Sequence, residues 1–326
     1  MRRLLSAALI FLAVGPAPGA RFRYAQEHLV QAAEARPLDL AAADAGMVRF
    51  RRGWHLVSPH SRFGGFSALA RLGPGRFQLV GDNGESVRLT IGESARVEAL
   101  RIAPLPRPPH WPKLKSMIDS EEMFVDSATG DSWIALENVN QIWRFDPSMT
   151  RVLARYAPAA MKDWPRRRGP EAMAHLADGR TAVFSEGGSD DARANRALLF
   201  AGLPTGKPDL RFFYDSEGKG AVSAAAPLPD GRILLVHRRV GWNPVFTTEL
   251  GIVDPADIRE GAVVRSRAIG RIPRAVAENY EGAAVAEVGG RTLLWLVSDD
   301  NFQRWQRSLL AEFELAGLPD SKKAAR

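Results

Sequence analysis

The chain has 326 residues, 45% hydrophobic and 25% charged, with a formal net charge of +7 and no cysteine. That apolar content supports a large core, and the missing cysteines exclude disulfides and thiolate metal sites. A basic balance invites an anionic partner, but the basic residues are scattered and only RRR at 166–168 is dense, so the footprint of a nucleic-acid binder is missing.

In chain order, MRRLLSAALIFLAVGPAPGA (1–20) comes first, with two arginines, a short apolar stretch and small residues. It reads as a signal peptide, too short to span a bilayer comfortably. No cysteine is available for a lipid anchor, so a periplasmic or secreted protein without stable membrane insertion is expected. Residues 21–37 read as a linker or short helix, 38–316 as one domain, and 317–326 as a frayed polar tail. From residue 38 onward, apolar runs of 5–8 residues alternate with Gly, Pro, Asp and Asn turns, which is an all-β texture.

Five segments then repeat one shape, an apolar hairpin bounded by polar residues. They are FSALARLGPGRFQLVGD (66–82), EEMFVDSATGDSWIALE (121–137), PEAMAHLADGRTAVFSE (170–186), VSAAAPLPDGRILLVHR (222–238) and YEGAAVAEVGGRTLLWLVSD (280–299). Their second residues are Ser67, Glu122, Glu171, Ser223 and Glu281, separated by 55, 49, 52 and 58 residues. The hairpins turn at GPG, ATGD, ADG, PDG and GG, whose glycines suit φ > 0. Two further strand candidates follow each of the first four, but only SLLAEFEL follows the fifth. The spacing predicts a β-propeller of five blades, with six as the alternative, whose last blade is closed by MVRFRRGWHLV (47–57).

In such a ring the start of the first strand and the exit of the second lie at the same end. The exit residues are Asp82, Glu137, Glu186, Arg238 and Asp299, so the ten positions hold seven acids, two serines and one arginine. Crowded carboxylates raise one another's pKa, and a hard divalent cation would relieve them, Ca²⁺ first and Mg²⁺ second. The competing expectation is that the acids cap strand ends. His237 is a further candidate ligand. Arg166, Arg167 and Arg168 precede Glu171 and suit an anionic substrate, and Trp305 could wall a pocket. Ser67 lacks the second glycine of a nucleophile elbow.

GGFSALA (64–70), SEEMFVDSATGDSWIALEN (120–138), GPEAMA (169–174), NYEGAAV (279–285) and LWLVSDDNFQRWQRSLLAEFEL (294–315) resemble the phytase-like family described as having esterase-like activity. The resemblance runs from about residue 60 to 315 and implies an exported propeller that hydrolyses phosphoric esters with Ca²⁺. Glu-Gly is usual at the strand starts of that family, and here only Glu281-Gly282 keeps it.

The expectation is therefore a metal-dependent hydrolase of phosphate or other esters, probed by a small anionic or ester substrate and acting as a monomer. Asp82, Glu122, Glu171, Glu281 and Asp299 would hold the metal. Glu137 or Glu186 would act as base, and Arg238, the 166–168 run and Trp305 would meet the substrate. A lactonase-like metal site and a non-enzymatic binding propeller with structural acids are the alternatives.

Overall fold

The computed structural model describes residues 28–40, 44–112, 114–187 and 194–320. The segment read as a signal peptide and the last six residues of the tail lie outside them. Among the described residues no helix is long and apolar enough to cross a membrane.

The chain forms a five-bladed β-propeller. Blade 1 comprises Phe66–Gly73, Arg76–Gly81, Glu85–Ile91 and Val97–Pro104, joined as an antiparallel meander. Its first turn needs glycine: Gly75 has φ +63°, and a Cβ there would stand 2.4 Å from the Ile91 carbonyl oxygen. Blade 2 comprises Ser120–Val125, Ser132–Leu136, Gln141–Phe145 and Val152–Tyr156, and blade 3 comprises Pro170–His175, Thr181–Ser185, Asn195–Phe200 and Leu210–Tyr214. Blade 4 comprises Ala221–Pro227, Ile233–Val240, Phe246–Val253 and Arg267–Arg271.

One predicted strand is divided. AVVRSRAI (262–269) reads as the outer strand of blade 4, but Val263–Val264 pairs parallel with Leu210–Tyr214 of blade 3, and only the residues after Ser266 join blade 4. The segment therefore stitches two neighbouring sheets.

Blade 5 is built from both ends of the described chain. Tyr280–Val288, Arg291–Ser298 and Leu309–Leu315 are followed in space by Val48–Val57, antiparallel to Leu309–Leu315. The N-terminal closure thus forms as the repeat count requires. Glu34–Pro37 adds a fifth strand outside it, where the sequence suggested a linker or helix. Covering the edge in this way removes a row of free backbone groups.

Each blade presents one apolar face to the next, and the buried side chains fall into five clusters, one per junction. Between blades 2 and 3, for example, Phe124 and Trp133 stack near-parallel at 5.9 Å, with Met161, Met173 and Phe200 beside them. The large aromatics at such junctions, Trp133 and Trp143 among them, are fully buried. Cutting one of these rings to alanine costs on the order of 3–5 kcal/mol. The first strands of successive blades pack against one another around the axis.

Candidate metal centre at the channel mouth

The five first strands share one irregularity. Pairing with the second strand skips a residue at Phe66/Ala68, Ser120/Glu122, Pro170/Ala172, Val222/Ala224 and Tyr280/Gly282. The residues left out of the ladder are Ser67, Glu121, Glu171, Ser223 and Glu281. A β-bulge re-aims its extra residue, which here turns side chains toward the axis.

This frame corrects the sequence expectation in blade 2, where Glu121 and not Glu122 stands at the shared position. The hairpin of blade 2 carries one extra residue, because the turn Asp126–Asp131 is closed by Gly130 N donating to Asp126 O and Asp126 N donating to Asp131 O. A constant spacing of 15 residues back from Glu137 therefore lands one residue too far along.

The position after each bulge holds Ala68, Glu122, Ala172, Ala224 and Gly282. Small residues suit it: a Cβ on Gly282 would come within 2.9 Å of the Ala68 backbone. Glu122 is the exception, and it is fully buried. Its carboxylate accepts from the amides of Met123 at 3.0 Å and Ala225 at 2.9 Å, and from that of Met173. Those amides belong to blades 2, 4 and 3, so Glu122 reaches across the axis beneath the mouth and takes no part in the acid cavity.

The two opening serines are also turned away from chemistry. Ser67 Oγ donates to the Ser120 carbonyl of blade 2, and Ser223 Oγ donates to the Tyr280 carbonyl of blade 5 at 2.9 Å. Each clips its blade to the next.

The remaining positions converge. A cavity of about 670 Å³ at the channel mouth is lined by Asp82, Asp119, Glu121, Glu137, Glu171, Glu186, Glu281 and Asp299, with Lys115, Arg167 and Arg238 among them. On one side, carboxylate oxygens of Asp119, Glu121 and Glu137 lie within 4.8 Å of one another. Glu171 hydrogen-bonds to Glu137, a contact that helps to push the Glu171 pKa up and offsets part of the rise that burial imposes on Glu137. On the other side, Asn279 Nδ2 donates to Glu281 Oε1 at 3.0 Å and faces Asp299 Oδ2 at 3.4 Å. Arg238 stands between the halves, 3.2 Å from Glu281 and 3.7 Å from Glu186, and donates to Asn279 Oδ1 at 3.0 Å. Lys115 meets Asp82 at 2.5 Å and Asp119 at 3.8 Å.

The electrostatics follow from that crowding. Burial, reinforced by Glu171 and Glu281, lifts the Glu121 pKa well above the usual carboxylate range. Burial, then Glu186 and Glu137, does the same for Glu171, and burial with Glu281 and Asp82 does it for Asp299. Burial pushes Glu281 up to about 7, although Arg238 pulls against it. Asp119 is raised by burial and partly relieved by Lys115.

The adjacent aspartates at the end of blade 5 divide the work. Asp299 faces the cavity, its Oδ1 accepting from Asn301 N at 2.6 Å. Asp300 is buried and accepts from Gly65 N at 3.0 Å, tying this turn to blade 1. Gly64 is required there, since a Cβ would stand 2.6 Å from Asp300 Oδ1 at φ +127°.

Other sequence candidates are placed elsewhere. Arg166 lines a neighbouring cavity with Trp164 and Asn140. Arg167 lines the acid cavity, and the Arg168 side chain lies over Gly187. Trp305 is stacked on Phe246 outside the cavity lining, at 6.0 Å. His237 is buried behind the mouth, 2.6 Å from Tyr214 Oη, its pKa brought down to about 4 by burial. Beside Glu121, the repeat pattern did not supply Asp119, which lines the cavity, or Asn279, which holds Glu281 and Asp299. Asp119 and Asn279 both stand two residues before a bulge glutamate, where Gly65, Gly169 and Ala221 occur in the other blades, so a polar residue in that frame is their signal.

The donors fit a hard divalent cation. They are all oxygens, three converge within ligand-sharing distance, and the buried Asp82 Oδ1 has no hydrogen-bond partner.

Comparison with known proteins agrees with the fold. Among solved structures, the α-L-arabinofuranosidase PaAbf62A of Podospora anserina matches at TM-score 0.51 and 13% identity, over 79% of this chain and 94% of that one. The catalytic domain of the Coprinopsis cinerea GH62 α-L-arabinofuranosidase matches at 0.51 and 14%, over 78% and 93%. The Kuenenia stuttgartiensis hydrazine synthase matches at 0.37 and 12%, over 69% of this chain and 62% of that longer one. For the two arabinofuranosidases, at these identities, the likeness is one of fold. No curated protein matches. The family profile described as phytase-like, esterase-like activity of phytase, covers residues 61–302, and the chain belongs to that family.

Proposed function

We propose that this propeller is a metal-dependent hydrolase of phosphate or other esters, working at its acid-lined mouth with Ca²⁺ as the preferred ion. The observation that carries the reading is the meeting of Asp119, Glu121 and Glu137 within 4.8 Å, from the first strand of blade 2 and the two turns that flank its inner hairpin, inside an open cavity. A protein gains nothing in stability from gathering carboxylates whose pKa values are driven up by burial and mutual repulsion. Such a cluster is what a cation site requires.

Asp119, Glu121 and Glu137 would hold the ion, with Glu171 beside Glu137, and Asp82, Glu281 and Asp299 across the cavity. When bound, the ion supplies polarisation of an ester oxygen and a bound water of lowered pKa. Glu186 lies outside the three-acid group and within reach of Arg238, which suits it to accept a proton from water. Arg167 lines the same cavity and is exposed, so it is the cation best placed to meet an incoming anion. Arg238 is already engaged by Glu281 and Asn279, and its role is to hold the two halves at fixed separation while balancing their charge.

The test is calorimetric titration of Ca²⁺ into chelator-treated protein, beside Glu121→Gln, in two buffers of different ionisation heat. Saturable binding that releases protons and vanishes in the variant is expected, because carboxyl groups whose pKa values burial raises must be deprotonated to ligate. Turnover of aryl phosphates and aryl carboxylic esters is then measured with and without the ion. A folded sample that takes up no cation would end this reading and leave the acids to a binding propeller.

A further inference from the structure

The hairpin between the second and third strands of blade 4 runs past Arg238 and projects from the cavity end of the ring. Its tip is apolar and uncovered. Trp242 is 95% exposed, Val240 65% and Val245 38%, and Trp305, itself 52% exposed, stacks on Phe246 at the base of the same hairpin. Val240 pairs with Phe246, and Gly241 N donates to Val245 O at 2.7 Å, so the ladder runs up to the base of the tip that carries Trp242. A tryptophan left almost wholly in water contributes nothing to a core, and exposed apolar side chains gathered on one hairpin mark an interaction surface.

Three arginines flank it. Arg239 lies on the hairpin, Arg274 donates to Asn243 Oδ1 at 2.6 Å, and Arg304 is exposed beside Trp305. The acids of that rim are already matched: Glu217 to Lys219 at 2.8 Å, Asp215 to Arg265 at 2.9 Å, and Glu278 to Arg307 at 2.6 Å. The cavity carboxylates are recessed within the mouth, with Lys115, Arg167 and Arg238 among them. Indole rings favour the boundary between headgroups and acyl chains, and arginines beside them are drawn to anionic lipid.

We propose that this end of the propeller docks on an anionic lipid surface through the Trp242 tip, with Arg239, Arg274 and Arg304 on the headgroups. The contact is peripheral, by the hairpin tip and the two arginine-bearing segments beside it, and sets the acid cavity facing the membrane. It goes beyond the hydrolase reading and does not depend on it.

The experiment uses the full chain with phosphatidylcholine vesicles and with mixed phosphatidylcholine–phosphatidylglycerol vesicles carrying brominated acyl chains. On the mixed vesicles, bromine is expected to quench tryptophan emission, and the quenched component should vanish in Trp242→Ala. That side chain touches solvent almost everywhere, so the variant should keep the wild-type melting temperature. Arg274→Ala and Arg304→Ala should each weaken binding about five-fold at low salt. Equal quenching in wild type and Trp242→Ala would overturn the proposal, because the apolar N-terminal segment would then carry the binding. So would equal affinity for both vesicle types. Concentration-dependent dimerisation abolished by Trp242→Ala, without vesicle quenching, would give the patch to a second copy of the chain.

Discussion

Glu121 and Glu122 are neighbours in sequence and opposites in environment. Glu121 points into the mouth among Asp119, Glu137 and Glu171, where every nearby acid makes its charge more costly. Glu122 points beneath the mouth to the axis, where three backbone amides donate to it and no like charge is among the causes of its shift. The first strand of each blade has a free edge toward the axis, and buried amides without acceptors cost free energy. Glu122 answers that need for blades 2, 3 and 4. The upper layer of the ring is therefore a region where the fold tolerates repulsion, and the lower layer is one where it removes it.

The sharpest way to break this contrast is Glu122→Ala. It strands three buried amides and opens a void, so a loss of about 3–5 kcal/mol is expected, measured by urea unfolding. Glu122→Gln keeps an acceptor oxygen and should lose less. If Glu122→Ala unfolded like wild type, the axial carboxylate would not be structural.

The second way is pH. In the folded protein Glu281 holds its proton up to about 7, whereas unfolded it releases it near the ordinary glutamate value. The folded state therefore binds more protons across that window, and stability falls as pH rises from about 4.5 to 7, by ~3 kcal/mol at most for this one group. The contribution is fully present at low pH and gone above the folded pKa. Unfolding midpoints of chelated protein across that range check the sign. Loading the ion should flatten the slope, because it replaces the protons.

The third concerns the ion itself. At a hundred-fold excess over its dissociation constant, a cation that binds only the folded protein adds about 2.7 kcal/mol. Thermal melts with and without Ca²⁺ should show that gain in wild type. Glu121→Gln should melt higher than wild type without the ion, since one like charge is gone, and gain little when the ion is added. The opposite pattern would place Glu121 among structural caps.

How much of this was legible depends on the layer. The hairpin repeat exposed the blades because each must bury the same two faces, and all five exit residues fall where that repeat places them, since a second strand ends where its ladder ends. The starts were less legible. A bulge does not announce itself in an apolar run, and one extra residue in the Asp126–Asp131 turn moved the frame from Glu121 to Glu122. Asp119 and Asn279 sit before the apolar run and have no counterpart in three of the blades, so a pattern built on likeness passes over them. The division of 262–269 between two sheets is tertiary and leaves no local mark.

The smallest expected effect separates the two serines from the acids that share their frame. Ser67 and Ser223 occupy bulge positions, as Glu121, Glu171 and Glu281 do, yet each spends its hydroxyl on the carbonyl of the next blade. A lost hydrogen bond of that kind is worth about 1 kcal/mol, and alanine leaves the carbonyl with its other lone pair available. Ser223→Ala should therefore shift the urea midpoint slightly and leave cation affinity unchanged. A change in affinity as large as that of Glu121→Gln would mean the ring acts as one unit, in which a clip between blades 4 and 5 fixes the carboxylate geometry at blades 2 and 3. Unchanged affinity would confine the site to the residues that touch it, and would mark the two bulge serines as inert positions of the ring.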